Sequence, residues 1–248
     1  MQNQVDIIIP VYNSQKTIAK TIKSVFKQTY NNWTLIIIDD ASTDDTIKIV
    51  EKICKKVKKK IIILKNNVNR GQAFSRNRGL KFSKSKFVTF LDSDDFWDKN
   101  KLKKQINFML KYNYDFTYCD YKSIKNNKIK IIKTPNFFNY KNFTKNTSIA
   151  TSAMIIKKKI LKNILFPDLR LCEDYYFKCL ILKSKDAYKC PGVYSFYRLR
   201  NNSLQSDRLK VLLTLWRINK NLNKMNFINN LASTSFIIIN SLKKYAFR

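Results

Sequence analysis

The chain has 248 residues, room for one large domain with an appendage but not for two full domains. Its 49 Lys and Arg against 17 Asp and Glu give a formal net charge of +32, which favours polyanions such as nucleic acid, anionic lipid and nucleotide diphosphates without choosing among them. Five cysteines without metal-ligand spacing, and no histidine, exclude a zinc site and read as reduced structural thiols.

Lys, Asn and Ile recur even in loops such as 125–128, so part of the positive charge is compositional and the few acids are more informative. The same Asn richness accounts for the sequons at Asn142 and Asn146. No apolar run reaches about 18 residues, and no basic leader precedes the first apolar run. A cytoplasmic chain is expected, with a peripheral place at the inner face of the plasma membrane left open.

Up to residue 100, short apolar runs alternate with helix-period segments, the signature of βαβ units and a mainly parallel sheet. Strands are expected at 5–11, 35–39, 61–64 and 87–91, each nearly continuous Ile, Val, Leu or Phe, as suits burial on both faces. Ile18, Ile22, Val25 and Phe26 repeat at helical spacing behind a cap at Ser14. Ile47, Val50, Cys54 and Val57 do so behind Ser42 or Thr43, where Ser42 and Asp45 can form a variant capping box. A third helix is expected from about Gly71 to Phe82, and Asp98 is the expected cap of a fourth carrying Leu102, Ile106 and Leu110.

From 116 to 199 the pattern changes to strand-like pieces at 116–121, 129–133, 153–157 and 193–199 around one helix beginning near Cys172. This is an α+β half. Two helices are expected from Asp207, the first striped with Val211, Leu212, Leu215 and Trp216. No repeat or Pro/Gly-rich linker intervenes. Residues 1–205 are therefore expected as one α/β domain, with halves 1–95 and 96–205, followed by a helical tail at 206–248.

The run Asp92-Ser93-Asp94-Asp95 directly follows the apolar strand ending at Leu91. In an open α/β sheet, ligands bind beyond the carboxyl ends of the strands, so these acids face the expected cleft. Clustered carboxylates repel unless a cation intervenes, and Mg2+ or Mn2+ takes one or two carboxylates together with substrate phosphates. A metal–diphosphate site follows, the alternative being a solvated set of helix caps. Asp39-Asp40 ends an earlier strand at the same sheet edge. There Asp40 can accept from a nucleobase N–H or serve the next helix start.

Four ordered segments, Ile7-Ile8-Ile9-Pro10-Val11-Tyr12-Asn13, Ile38-Asp39-Asp40-Ala41-Ser42-Thr43-Asp44, 69–77 and Leu91-Asp92-Ser93-Asp94-Asp95, closely resemble the successive motifs of family 2 glycosyltransferases of the GT-A fold. The resemblance covers 5–205, is strongest up to Asp95, and is nearest to small bacterial transferases of surface polysaccharides, including the teichuronic-acid type. It implies a Rossmann-like sheet flanked by helices, with an acceptor half and a helical tail. It also implies that Pro10, Val11 and Tyr12 line the nucleotide pocket, that Asp40 contacts the base, and that Asp92 and Asp94 bind the metal with Ser93 between them and Asp95 alongside. Arg76 and Asn77 would face the donor.

Glu173-Asp174 is similar to the family's Glu-Asp motif, which makes Asp174 the expected general base of an inverting transfer to an acceptor hydroxyl. From the residues alone, an acidic helix start is the alternative. The donor expected is a nucleotide-diphosphate sugar, UDP first among nucleotides. The acceptor is a saccharide or lipid-linked saccharide in cell-surface polysaccharide or glycolipid synthesis.

Where many relatives carry histidine after Tyr-Arg-x, this chain has Arg200, open to pairing with the diphosphate or to a plain surface role. Ala41 stands in place of a common glycine, which matters only at positive φ, and Ser75 in place of alanine. The tail run Phe236-Ile237-Ile238-Ile239 before Lys243-Lys244 suits an interfacial helix near anionic lipid, or else a helix closing the core or a dimer contact. A nucleic-acid-binding module would use the basic excess and Tyr112, Tyr114 and Tyr121, but acids at strand ends repel phosphates, so no nucleic-acid partner is expected. A nucleotidylyltransferase would lean on a Gly-rich phosphate loop, and only Gly71, Gly79 and Gly192 are present.

Overall fold

The computed structural model describes residues 3–55, 57–126, 128–199 and 207–245. Four parallel strands, β1 (Val5–Val11), β2 (Trp33–Asp39), β3 (Ile61–Lys65) and β4 (Phe87–Phe90), lie in the order β3-β2-β1-β4. Their crossovers are α1 (Ile18–Phe26), α2 (Thr46–Cys54) and α3 (Gln72–Phe82). After β4 come β5 (Phe96–Trp97), α4 (Lys101–Lys111), β6 (Phe116–Lys125), β7 (Lys128–Ile132), β8 (Phe137–Phe138), α5 (Tyr140–Phe143), β9 (Ile155–Lys157), α6 (Glu173–Leu182) and β10 (Ala187–Arg198). The tail is α7 (Arg208–Asn221) and α8 (Phe227–Tyr245).

One sheet runs through both halves in the order β3-β2-β1-β4-β9-β6-β10-β5. β9 lies antiparallel to β4 and β6, and β10 runs parallel to β6. Alternation along β1 sends Ile7 and Ile9 to one face, with Ile22 of α1, Val50 of α2 and Ile106 of α4. Ile8 goes to the other, with Leu80 of α3, Phe177 of α6 and Leu215 of α7. Helices thus cover both faces, which is why the central strands carry no polar alternation. At Gly79 of α3 a Cβ would stand 2.6 Å from Ile8 Cγ2 and 2.9 Å from Ile38 Cδ1. Glycine there lets the helix seat on the sheet.

Several boundaries differ from the sequence expectation for physical reasons. Ser14 does not cap α1 through its side chain: its N–H donates to Thr46 Oγ1 at 2.7 Å and its hydroxyl pairs with Ser93 Oγ at 2.7 Å, while the helix begins after Thr17. Ser42 accepts from the Asn13 N–H, and Asp44, not Ser42 or Thr43, receives the Thr46 N–H at the start of α2. Asp98 accepts from the Asn100 N–H at 2.8 Å just ahead of α4. β10 starts earlier than expected because a bulge between Cys190 and Ser195 absorbs Pro191 and Gly192, the latter at φ +114°.

Candidate active site

The carboxyl ends of β1, β2 and β4 open on the same edge of the sheet, and the segments leaving them meet there. Asp92-Ser93-Asp94-Asp95 forms a tight turn closed by the Asp95 N–H on Asp92 O at 3.0 Å. Thr21 of α1 pins it from behind, its hydroxyl lying 2.9 Å from Ser93 O and 2.7 Å from Asp95 O. The turn points Asp92 outward, with its side chain 22% exposed, and Asp95 inward at 0%.

Asp95, expected beside the metal, is buried and bonded to the protein. Its Oδ2 accepts from Ser152 Oγ at 2.6 Å and its Oδ1 from the Arg198 N–H at 3.0 Å, so each oxygen meets one protein donor. Burial, then the charges of Asp94 and Asp92, push its pKa well above the ordinary carboxylate range. Among the described residues no three His, Cys, Asp or Glu side chains converge as a metal cage. Asp92 and Asp94 are hard oxygen donors of the kind that could hold Mg2+ or Mn2+ together with a nucleotide's phosphates.

Arg76 is the hub of the site. On α3, only 2% exposed, its guanidinium reaches Asp92 Oδ1 at 2.6 Å with Nη2 and Glu173 Oε1 at 2.7 Å with Nη1. Gln72 one turn earlier accepts from Nη2 at 2.9 Å. Burial opposes this charge, but Asp92 and Glu173 outweigh it and the pKa of Arg76 is raised. Glu173 is raised as well, by its burial first, with Arg76 pulling the other way. Asn77, expected to face the donor, points elsewhere: it donates to Phe166 O and accepts from the Phe166 N–H, each at 2.8 Å, and so fastens α3 to the 166 loop.

Asp174 lies next to Glu173 in the first turn of α6. Its Oδ2 accepts from Lys178 Nζ at 2.7 Å, one turn on, and from Thr151 Oγ1 at 3.0 Å. Burial works against the carboxylate, yet the Lys178 ammonium and these hydrogen bonds hold its pKa down at about 2. Sequence reasoning missed the short 3-10 turn Thr151–Ala153 beneath the site. Thr151 binds Asp174, while Ser152 accepts from the Asp92 N–H and donates to Asp95. The Asp174 and Lys178 spacing was a readable signal; the turn carried none.

Pro10 and Val11, expected at the nucleotide pocket, are buried at the end of β1, and Tyr12 stands 47% exposed beyond them. Asp40 is buried, and its carboxylate accepts from Asn66 Nδ2 at 2.7 Å, the Arg70 N–H at 3.0 Å and the Gly71 N–H at 2.7 Å. It therefore shapes the 66–71 loop that delivers α3 and Arg76. Arg200 lies outside the described residues. A separate groove of about 1180 Å3, whose lining includes Lys84, Lys86, Lys157 and Lys158, sits where β4 begins and β9 ends, away from these carboxylates.

The Glycosyl transferase family 2 model matches residues 6–179. The chain therefore belongs to family 2 of the glycosyltransferases. The UDP-Glc:alpha-D-GlcNAc-diphosphoundecaprenol beta-1,3-glucosyltransferase WfgD of Escherichia coli is 36% identical over 98% of this chain and 95% of its own length. The putative teichuronic acid biosynthesis glycosyltransferase TuaG of Bacillus subtilis is 32% identical over 90% of each. Among solved structures, S. aureus TarS 1-349 in complex with UDP-GlcNAc superposes with a TM-score of 0.72 at 22% identity, over 98% of this chain and 76% of that one. The mannosyltransferase PcManGT of Pyrobaculum calidifontis, in complex with GDP-Man and Mn2+, gives 0.72 at 15% identity over 99% and 76%. These two share the GT-A fold expected from the sequence, and the chain is a glycosyltransferase of that fold.

Proposed function

We propose that the chain moves a sugar from a UDP-sugar to the hydroxyl of a lipid-linked saccharide, with inversion at the anomeric carbon. The observation that carries this reading is the Arg76 bridge, which holds Asp92, the donor-side carboxylate, and Glu173, the neighbour of Asp174, on one guanidinium. The acceptor class follows the printed names of WfgD and of a second Escherichia coli relative, WfaP, 36% identical over 98% of this chain.

In this reading Pro10, Val11 and Tyr12 receive the nucleotide, and Asp92 and Asp94 would hold Mg2+ or Mn2+ against its diphosphate. The ion, when bound, supplies positive charge where the leaving group becomes more negative. Asp174 is ionised at neutral pH and both its protein contacts fall on Oδ2, so Oδ1 is the oxygen offered to the acceptor. The hydroxyl oxygen forms its bond to the anomeric carbon, its proton passes to Asp174, and the bond from that carbon to the diphosphate oxygen breaks with UDP as leaving group. Arg76 keeps Glu173 and Asp92 in place while charge moves.

Calorimetric titration of UDP, GDP and dTDP with and without Mn2+ tests the donor side. Metal-dependent UDP binding is expected, with affinity falling about 100-fold in Asp94→Asn. Equal binding by wild type and variant, or no metal-dependent binding of any of the three, overturns the reading.

A further inference from the structure

The tail helix α8 is amphipathic in the reverse sense. At 100° per residue, Ile228, Leu231, Ile238 and Leu242 share one side, and they are 75%, 51%, 38% and 58% exposed. The opposite side is buried and mainly polar: Asn230 Nδ2 donates to Trp216 O at 3.1 Å, Ser233 Oγ to Thr144 O at 2.6 Å, and Asn240 Nδ2 to Lys145 O at 3.0 Å. Ile237 alone among these positions enters the core. A helix whose hydrogen-bonding side is satisfied inside and whose apolar side faces water has its unmet affinity on the outside.

We propose that this outer side of α8 docks on the surface of an anionic phospholipid membrane. Lys224, just ahead of the helix, and Lys243, near its end, are exposed, so cations stand at both ends of the apolar strip. The net charge of +32 selects the occupant: it draws the chain to a negative surface and opposes close approach of a second copy. No helix of the described residues is long and apolar enough to cross a membrane, so α8 lies on the surface rather than spanning it.

The tail is coupled to the acceptor side of the site. Tyr175, beside Asp174, donates to Asn219 Oδ1 of α7 at 2.6 Å, and Asn219 Nδ2 donates to Ser233 Oγ of α8 at 2.9 Å. Docking thus places α6 near the lipid surface, where a lipid-linked acceptor would be.

Flotation of the full chain with phosphatidylcholine vesicles, with and without phosphatidylglycerol, tests the inference. No donor or acceptor is present, so failure here leaves the transfer reading intact. Recovery is expected with the phosphatidylglycerol vesicles, falling with added salt. The exposed triple substitution Leu231→Asn, Ile238→Asn, Leu242→Asn is expected to lower it about tenfold with an unchanged thermal melt. Lys224→Glu with Lys243→Glu keeps the apolar strip and is expected to lower the salt-sensitive part. Flotation of the triple variant equal to wild type overturns the proposal. So does absence of wild-type flotation, or a wild-type dimer in analytical ultracentrifugation that the triple variant dissolves without any vesicle binding.

Discussion

Ala41 adopts φ 63°, a left-handed conformation in which an L side chain crowds the backbone. It holds that angle because its neighbours are fixed: Asp40 is tied to the 66–71 loop, and the Ser42 N–H donates to Asp39 Oδ1 at 3.1 Å. Replacing Ala41 by glycine removes the Cβ conflict at a smaller cost in unfolded-chain entropy, so a stability gain of about 0.5–1 kcal/mol is expected. Urea unfolding of Ala41→Gly checks it, and a lower midpoint would contradict the strain. The departure from glycine at this position was legible in the sequence. The hydrogen bonds of Asp40 to Asn66, Arg70 and Gly71 were not, because they join residues far apart in the chain and leave no local pattern.

At the scale of the element, α4 carries an ionisable group into the apolar face of the sheet. Lys101 is 0% exposed, with Nζ 3.0 Å from Thr89 Oγ1 and 4.0 Å from the centre of the Trp97 ring. Burial pulls its pKa from 10.5 down to about 7. A lysine depressed in the native state binds its proton less readily there than in the unfolded chain, so stability rises with pH between about 7 and 10.5 and the full cost is carried below 7. Lys101→Met is expected to raise stability at or below pH 7 by about 1–4 kcal/mol and to flatten that rise. Unfolding free energies measured across pH 6–10 (an interval on the order of the depressed range) decide it, and a variant that keeps the wild-type slope would move the cause elsewhere. Periodicity recovered α1, α2 and α4 because their apolar stripes face one sheet, whereas α3 has no such stripe and buries Ala73, Ser75, Arg76, Gly79 and Leu80. Periodicity misplaced the caps where the expected residues, Ser14 and Ser42, bond to other loops instead of their own helix.

Over the whole molecule, the segments before and after Asp95 are joined by a shared sheet and by several side chains, among them Asn77 on the 166 loop, Ser152 on the 92–95 turn, and Arg76. Arg76 spans from Asp92 to Glu173, positions 81 residues apart by their numbers (173 − 92) in the chain, and both partners are largely withdrawn from water. Arg76→Met leaves two carboxylates without their counter-charge and is expected to cost about 3–5 kcal/mol of stability. Arg76→Lys keeps the charge but not the fork, so kcat/KM is expected to fall about 100-fold with a smaller loss of stability. Thermal melts and steady-state kinetics on the pair separate the two effects, and a lysine variant with wild-type turnover would remove Arg76 from the site. The strands and helices up to Asp95 were readable from the apolar runs and motifs of that segment. Thr151, Ser152 and the bridge itself were not, since they depend on β9 returning antiparallel between β4 and β6, a long-range pairing that local pattern does not encode.

The same bridge limits how such enzymes can be recombined. A chimera that keeps residues up to Asp95 from this chain and takes the rest from another inherits a buried guanidinium, and the graft must bring a carboxylate to the place of Glu173. The pairing of Arg76 with Glu173 is therefore one constraint that any such junction in this chain must satisfy.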